Sequence, residues 1–178
     1  MQRLKGKKVL MVIAKSKFRD EEYAEPRKAL ESEGASITVA SSSLAESDGM
    51  LGMKVKPDIL LSDAKESEFD GIVFVGGGGA KEYFDSPVAH QLAKAFLGHG
   101  KLTSAICIAP ATLANAGLLK GRKATAFPSS EGALRSHGAV VTGEPVAVDG
   151  TIVTAVGPEA AKQFGKKLVD VLSSLGKP

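Results

Sequence analysis

Several residue types from which functional sites are commonly built are scarce in this sequence. Its 178 residues include one cysteine, Cys107, so no disulfide can form within the chain, as is usual in a reducing compartment. The three histidines, His90, His99 and His137, lie far apart, without a cysteine or carboxylate at ligand spacing. Because zinc sites need such clustered ligands, we predict no metal site.

Aromatic residues and long apolar segments are also scarce. Tryptophan is absent, aromatic residues make up 5%, and the formal net charge is +3, with lysines scattered among acids. A nucleic-acid partner is therefore not indicated, because such proteins combine basic patches with aromatic residues that stack on bases. No apolar run approaches the roughly 20 residues of a membrane span. Residues 1–6 lack the apolar core of a secretory signal, so we expect a cytoplasmic protein with no membrane partner.

What the chain does contain is a regular alternation of strand-like and helix-like segments. Apolar runs of strand length lie at residues 8–14, 37–40, 71–75, 102–106 and 123–127. Helical patterns lie at residues 20–33, 87–97, 109–116, 131–136 and 159–175. This order predicts an α/β fold with a mostly parallel sheet covered by helices on both faces. The length predicts a single domain over residues 1–178.

Two further pairs of strands are predicted to be hairpins. Residues 53–61, interrupted by Pro57, are expected to form an edge hairpin, because proline cannot donate a hydrogen bond in a central strand. Asp149 and Gly150 lie between the apolar runs 146–148 and 151–154. An Asp-Gly pair in that setting strongly predicts a tight hairpin turn.

Cys107 lies where an apolar strand run passes into a helical run of small residues. In an open parallel sheet, ligands bind at the carboxyl ends of the strands, where the loops at residues 18–22, 76–79 and 107–110 converge. Unpaired N–H groups at the start of a helix stabilise a thiolate, so we expect a lowered pKa and a nucleophilic Cys107. A free cysteine is also a common core residue, and position alone leaves that structural role open.

Four consecutive glycines at residues 76–79 follow one of the predicted central strands. They do not match a phosphate-binding loop, because Ala80, Lys81 and Glu82 follow them in place of Gly-Lys-Ser or Gly-Lys-Thr. Two interpretations remain. The glycines form a tight turn that needs their backbone freedom, or they supply backbone N–H groups that hold an oxyanion.

Glu22 belongs to an acidic first helical turn, together with Asp20 and Glu21. Acids at this position stabilise the helix dipole and are usually solvated. The alternative is that Glu22 turns inward toward Cys107. Shielded from water, its pKa would rise, and it could donate a hydrogen bond to the sulfur or exchange a proton with a substrate.

A set of motifs spread over almost the whole chain resembles the ThiJ/PfpI superfamily. In chain order they are Gly76-Gly77, Ala105-Ile106-Cys107 followed by Pro110, residues 117–123, residues 144–150, and Gly157-Pro158. The resemblance implies a flavodoxin-like three-layer sandwich with a nucleophile elbow. It also implies self-association as a homo-oligomer, and we expect no cofactor.

The resemblance further implies roles for four residues. Cys107 takes the place of the nucleophile, and Glu22, four residues before Pro26, takes the place of the glutamate that contacts the cysteine sulfur. The backbone N–H groups of Gly77 and Ile108 correspond to the oxyanion donors of the family. Catalysis is therefore expected from Cys107 and Glu22, with the oxyanion held by backbone.

The sequence departs from the family pattern in its histidines. PfpI-type proteases carry histidine directly after the cysteine, where this chain has Ile108. The deglycase-like branch carries one after the following strand, where this chain has Phe127, and His137 matches neither position. A Cys-His-acid triad is therefore unsupported, as is peptide hydrolysis, which needs an acid to protonate the leaving amine.

These observations lead to one expected function and two alternatives. We expect a cysteine-dependent, stress-related enzyme of glyoxalase or deglycase type, acting on reactive carbonyls such as methylglyoxal or on their early adducts on proteins. A non-enzymatic redox sensor or stress-protective protein, which works through oxidation of Cys107 to the sulfinic acid, is the first alternative. A PfpI-type intracellular protease is the second.

Overall fold

A central sheet of seven strands organises the computed structural model, which describes residues 2–175. The strands of that range are β1 (Lys8–Val12), β2 (Ser36–Ser41), β3 (Ser47–Asp48), β4 (Lys54–Val55), β5 (Ile59–Leu60), β6 (Gly71–Phe74), β7 (Leu102–Ile106), β8 (Lys123–Ala124), β9 (Val140–Val141), β10 (Val146–Asp149) and β11 (Ile152–Ala155). The order in the central sheet is β10-β11-β7-β6-β1-β2-β5, and β3–β4 and β8–β9 form two small sheets.

Helices cover this sheet in two groups. They are α1 (Asp20–Ser32), α2 (Pro87–Gly98), α3 (Pro110–Asn115), α4 (Glu131–Ser136) and α5 (Ala161–Ser174). Helix α1 packs against α5, whereas α2 packs against α3, and both α5 and α2 contact β7. Every residue of β6 and β7 is buried, as expected for strands covered on both faces. The predicted flavodoxin-like α/β fold is confirmed.

The central strands all point the same way, which brings their carboxyl ends to one edge. Strands β1, β6 and β7 are parallel neighbours, and only β10 runs antiparallel to its neighbour β11. The turn between β10 and β11 contains Gly150 at a φ of +62°, as the Asp-Gly pair predicts. The loops after β1, β6 and β7 therefore converge. Within residues 2–175, no helix is long and apolar enough to cross a membrane.

The predicted edge hairpin over residues 53–61 is wrong in its pairing. Strand β4 pairs antiparallel with β3, and β5 joins the central sheet as a parallel edge strand beside β2. Asp58 explains this change. Its N–H donates to the Val39 carbonyl at 2.8 Å, and its Oδ2 accepts from the Val39 N–H at 2.8 Å, which ties the chain after Pro57 to β2.

Candidate active site

Cys107 directly follows β7 and has a backbone conformation that is rare for a residue with a side chain. Its φ is +67°, in the left-handed region. The Cys107 N–H donates to the Ala155 carbonyl at 2.9 Å, and its carbonyl accepts from the Phe127 N–H at 2.8 Å. Neighbouring segments on both sides therefore hold the strained residue in place. Such strain is concentrated at functional sites, and this sharp strand-to-helix turn lies at the position predicted for the elbow.

The glycine loop after β6 lets two side chains approach each other. A Cβ at Gly76 would lie 2.2 Å from Glu22 Oε1 and 2.5 Å from Cys107 Cβ, so only glycine fits between the acid and the elbow. Gly77 has a φ of +104°, and a Cβ there would lie 2.4 Å from the Arg19 nitrogen. The Gly76 carbonyl accepts from the Arg19 N–H at 2.9 Å. The loop thus has the tight-turn role, and it places the start of α1 against the elbow.

Glu22 points inward, the less common alternative for an acid in a first helical turn. Its side chain is fully buried, and neither carboxyl oxygen has a hydrogen-bond partner among residues 2–175. Burial raises the pKa of Glu22 to about 8, although the facing Cys107 thiol and the Arg19 guanidinium lower it. At neutral pH the carboxyl therefore holds its proton and is a hydrogen-bond donor.

The Cys107 thiol is buried, with 9% of the residue exposed. Burial and the negative charge of an ionised Glu22 raise the pKa of Cys107 to about 12. The lowered pKa expected from the sequence is therefore wrong in direction, because burial outweighs the donors of the elbow. The backbone N–H groups of Gly77 and Ile108 act against this rise, since hydrogen bonds to the sulfur lower the thiol pKa.

A small cavity of about 270 Å³ opens onto these groups. Its lining side chains and backbone come from Arg19, Glu22, Met50, Gly77, Gly78, Lys81, Cys107, Ile108, Phe127, Ser129 and Pro158. All four predicted site residues thus face one cavity.

A larger, shallow groove runs over α1 between Tyr23 and Met53, but no cysteine lies in it. Among the described residues, no group of three or more potential ligands is arranged to hold a metal ion.

Comparison with known proteins identifies the family of this elbow. The sequence matches the DJ-1/PfpI family over residues 7–171. The chain belongs to the DJ-1/PfpI family. An uncharacterized protein of Methanocaldococcus jannaschii is 41% identical, in an alignment that covers 99% of this chain and 86% of the relative. The predicted ThiJ/PfpI resemblance is confirmed.

Solved structures of this DJ-1/PfpI family are similar over nearly the whole chain. A ThiJ/PfpI domain protein from Brachyspira murdochii has a TM-score of 0.93 and 37% identity, with 97% of this chain and 99% of that chain covered. Toxoplasma gondii DJ-1, in a structure described as oxidized, has a TM-score of 0.83 and 34% identity, covering 94% and 91% of the two chains.

This DJ-1/PfpI family member has no histidine in the lining of the Cys107 cavity. Ile108 and Phe127, which occupy the two positions where relatives are expected to carry histidine, both line it. His137 is exposed at the end of α4, where its Nδ1 lies 2.9 Å from the Ala133 carbonyl oxygen. Glu22 is therefore the titratable side chain that faces the thiol.

Seven of the eleven residues that line the cavity were not predicted as site residues, among them Arg19, Met50 and Lys81. Arg19 precedes the acidic turn, Met50 lies between β3 and β4, and Lys81 follows the glycines. The proximity of Lys81 to the glycine loop is the one signal that could have indicated it. Nothing local marks Arg19 or Met50, because the tertiary fold alone brings their loops to the elbow.

Proposed function

We propose that this protein is a cysteine-dependent enzyme that converts small reactive carbonyl compounds such as methylglyoxal. One observation carries the proposal, namely that the fully buried Glu22 carboxyl faces the Cys107 thiol and has no hydrogen bond to a nitrogen or oxygen atom among residues 2–175. Burying a polar group without a partner costs free energy, and such groups are concentrated where chemistry is done.

The protonation of the pair fits a thiol that is activated by its neighbour. With a pKa of about 8 for Glu22 and about 12 for Cys107, the pair carries two protons at neutral pH and loses the first near pH 8. In the singly protonated pair, the proton either stays on the sulfur or lies on Glu22, facing a thiolate. The second arrangement is the reactive one, because the carboxyl then donates to the sulfur and later supplies its proton to substrate.

The first step joins Cys107 to the aldehyde carbon of methylglyoxal. The sulfur donates an electron pair to that carbon, and the carbonyl oxygen receives the Glu22 proton. While negative charge develops on this oxygen, the N–H groups of Gly77 and Ile108 stabilise it. The product is a hemithioacetal, and Glu22 is left as a carboxylate and can act as a base.

The remaining steps move hydrogen between the two carbons of the substrate. Glu22 first removes, as a proton, the hydrogen on the carbon that is bonded to sulfur. The hydroxyl proton on that carbon then passes to the former ketone oxygen, and Glu22 returns its proton to the former ketone carbon. The resulting lactoyl thioester of Cys107 is hydrolysed by water. Methylglyoxal and water thus give lactate and a proton, because the aldehyde is oxidised and the ketone reduced within one molecule.

The size of the cavity favours small substrates. About 270 Å³ holds a molecule of a few heavy atoms, and Met50, Ile108, Phe127 and Pro158 make much of its wall apolar. An apolar wall limits water near the thiol, which strengthens each electrostatic contact with the substrate.

The test is conversion of methylglyoxal to lactate by the wild-type protein, Cys107→Ala and Glu22→Gln. We expect Cys107→Ala to abolish conversion, because no sulfur is left to form the thioester. Glu22→Gln should remove most of the rate, since glutamine cannot carry the proton. Equal rates in all three proteins would contradict the proposal.

A second candidate function is oxidation sensing at the same thiol. It is favoured by the similarity to Toxoplasma gondii DJ-1, whose solved structure is described as oxidized. A peroxide would transfer one oxygen to Cys107 to give the sulfenic acid and water, and a second peroxide would give the sulfinic acid. A protonated Glu22 would stabilise the sulfinate oxygens by donating a hydrogen bond.

Mass spectrometry after mild peroxide treatment distinguishes this candidate from the enzyme. A sensor should gain two oxygens on Cys107, and fewer in Glu22→Gln. If Cys107 gains no oxygen under conditions where methylglyoxal is converted, the sensor is excluded. The protease alternative gains no support, because Ile108 and Phe127 leave the cavity without a histidine.

A further inference from the structure

Lys81 is an exposed cation at the Cys107 cavity without an ion-pair partner in the described part of the chain. The other cation in the lining, Arg19, is already neutralised. Its Nε and Nη2 donate to the two Glu21 carboxyl oxygens at 2.9 and 3.1 Å. A charge on Lys81 therefore remains available to an anion that enters the cavity.

No carboxyl among the residues that line the cavity cancels this charge at neutral pH. Glu22 is the carboxyl in the lining, and it holds its proton below about pH 8. The charged groups that act on it are Arg19 and Glu21, which form the ion pair, and Glu159, which is exposed. With an uncharged thiol at Cys107, the lining carries a net positive charge through Lys81.

We propose that the cavity selects carbonyl compounds that carry a carboxylate, and that Lys81 binds this carboxylate while Cys107 attacks the carbonyl. The substrate class is a 2-oxoaldehyde with a short anionic tail, for which 4,5-dioxopentanoate is the test compound. The apolar wall formed by Met50, Ile108 and Phe127 suits the methylene groups between the two ends. This inference rests on the proposed function for the chemical step.

The reaction balances without an added oxidant or reductant. Cys107 sulfur forms a bond to the aldehyde carbon, the hydrogen on that carbon moves to the neighbouring ketone carbon as a proton, and water cleaves the thioester. The aldehyde carbon is oxidised to a carboxylate and the ketone is reduced to an alcohol. One 4,5-dioxopentanoate and one water thus give one 2-hydroxyglutarate and one proton.

The first test compares 4,5-dioxopentanoate with 2-oxopentanal, a five-carbon 2-oxoaldehyde without charge. The measured quantity is the ratio of the two kcat/KM values. We expect Lys81→Gln to lower this ratio about tenfold, the size expected for one charged hydrogen bond. Lys162→Gln removes the same charge from the exposed face of α5, outside the cavity, and should leave the ratio unchanged. An unchanged ratio in Lys81→Gln would overturn the inference.

The second test does not depend on turnover. Iodoacetate and iodoacetamide are similar in size but differ in charge, and both alkylate Cys107 as the sulfur displaces iodide. The measured quantity is the ratio of the iodoacetate rate to the iodoacetamide rate at pH 7, divided by the same ratio for 2-mercaptoethanol. This value should be about tenfold lower in Lys81→Gln than in the wild type or Lys162→Gln. Equal ratios in all three proteins would overturn the anion site.

Together the two tests separate the inference from the function on which it rests. A Lys81-dependent preference for iodoacetate in a protein that converts neither carbonyl would leave the anion site standing and remove the proposed enzyme. If the protein converts both carbonyls and Lys81→Gln leaves the ratio of their kcat/KM values unchanged, the proposed enzyme stands and the anion site is removed.

Discussion

Asp20 and Glu22 lie two residues apart in the first turn of α1, and both carboxyls are buried. The Asp20 Oδ1 accepts from the Leu51 N–H at 3.0 Å, and its Oδ2 accepts from the Met53 N–H at 2.9 Å. The two oxygens of Glu22 have no partner among residues 2–175. Of the two buried acids at the start of α1, Asp20 thus has its hydrogen bonds satisfied and Glu22 does not.

This difference separates a structural acid, Asp20, from Glu22, for which we propose a chemical role. Asp20 fastens the β3–β4 hairpin to the start of α1, so its negative charge is balanced by backbone donors. Glu22 faces a thiol, and its proton is the favourable partner for the sulfur. The buried group that lacks partners is therefore the better candidate for function, although both have the sequence signature of first-turn acids.

The largest effect should come from converting each acid to its amide. Glu22→Gln should lower kcat/KM for methylglyoxal by roughly 100- to 10,000-fold, the usual contribution of a general acid or base. Asp20→Asn should keep most of the activity of the folded fraction, because Asp20 moves no proton. Steady-state assays on protein whose folding is verified by circular dichroism measure both. Comparable losses in the two variants would contradict the distinction.

A second effect concerns stability and pH. The pKa of Glu22 rises from 4.5 to about 8 on folding, so the folded protein keeps a proton that the unfolded chain releases. The stabilising contribution of this proton is complete below about pH 4.5 and is lost as the pH rises to about 8. The free energy of unfolding should therefore fall by up to about 1.4 kcal/mol per pH unit between those values.

Urea unfolding between pH 4 and 9 measures this slope, with Glu22→Gln as the reference. Glutamine does not titrate, so the wild-type curve should fall relative to that of Glu22→Gln across the window and run parallel above it. Parallel curves for the wild type and Glu22→Gln from pH 4 to 9 would show that Glu22 releases its proton normally.

The fold was predictable because its information is local. Most central strands are mainly apolar segments and each major helix has its own periodicity, so the α/β alternation follows without knowledge of the contacts. The β3–β4 and β2–β5 pairings were missed because they depend on distant partners. Asp58 binds Val39, and Asp20 accepts from the N–H groups of Leu51 and Met53.

Four members of the candidate site were predictable from the sequence, but their protonation was not. Position after an apolar run indicated Cys107, and family resemblance indicated Glu22, Gly77 and Ile108. The direction of the Cys107 pKa depends on the balance between burial and backbone donors, which no spacing encodes. Lys81 escaped prediction for a similar reason. Its proposed role in binding an anion depends on Arg19, the other cation in the lining, being already paired with Glu21.

The smallest effects should come from two glycines that each lie against one of the acids. A Cβ at Gly49 would lie 2.2 Å from Asp20 Oδ1, just as a Cβ at Gly76 would lie 2.2 Å from Glu22 Oε1. Gly49→Ala should therefore displace the Asp20 carboxyl, whereas Gly76→Ala should displace the Glu22 carboxyl and also press on Cys107 and the Ile106 carbonyl. Each change should carry an overpacking cost of about 1–3 kcal/mol. Gly78→Ala is the control, because a Cβ at that exposed residue meets nothing within 4 Å.

The two variants should differ in what they damage. Gly49→Ala should lower the urea midpoint by loosening the hairpin and leave the pH profile of Cys107 alkylation intact. Gly76→Ala should move Glu22 away from the sulfur and shift that profile, whether or not any carbonyl is converted. If both variants change stability and alkylation in the same proportion, the two acids act as one structural unit and the distinction between them fails.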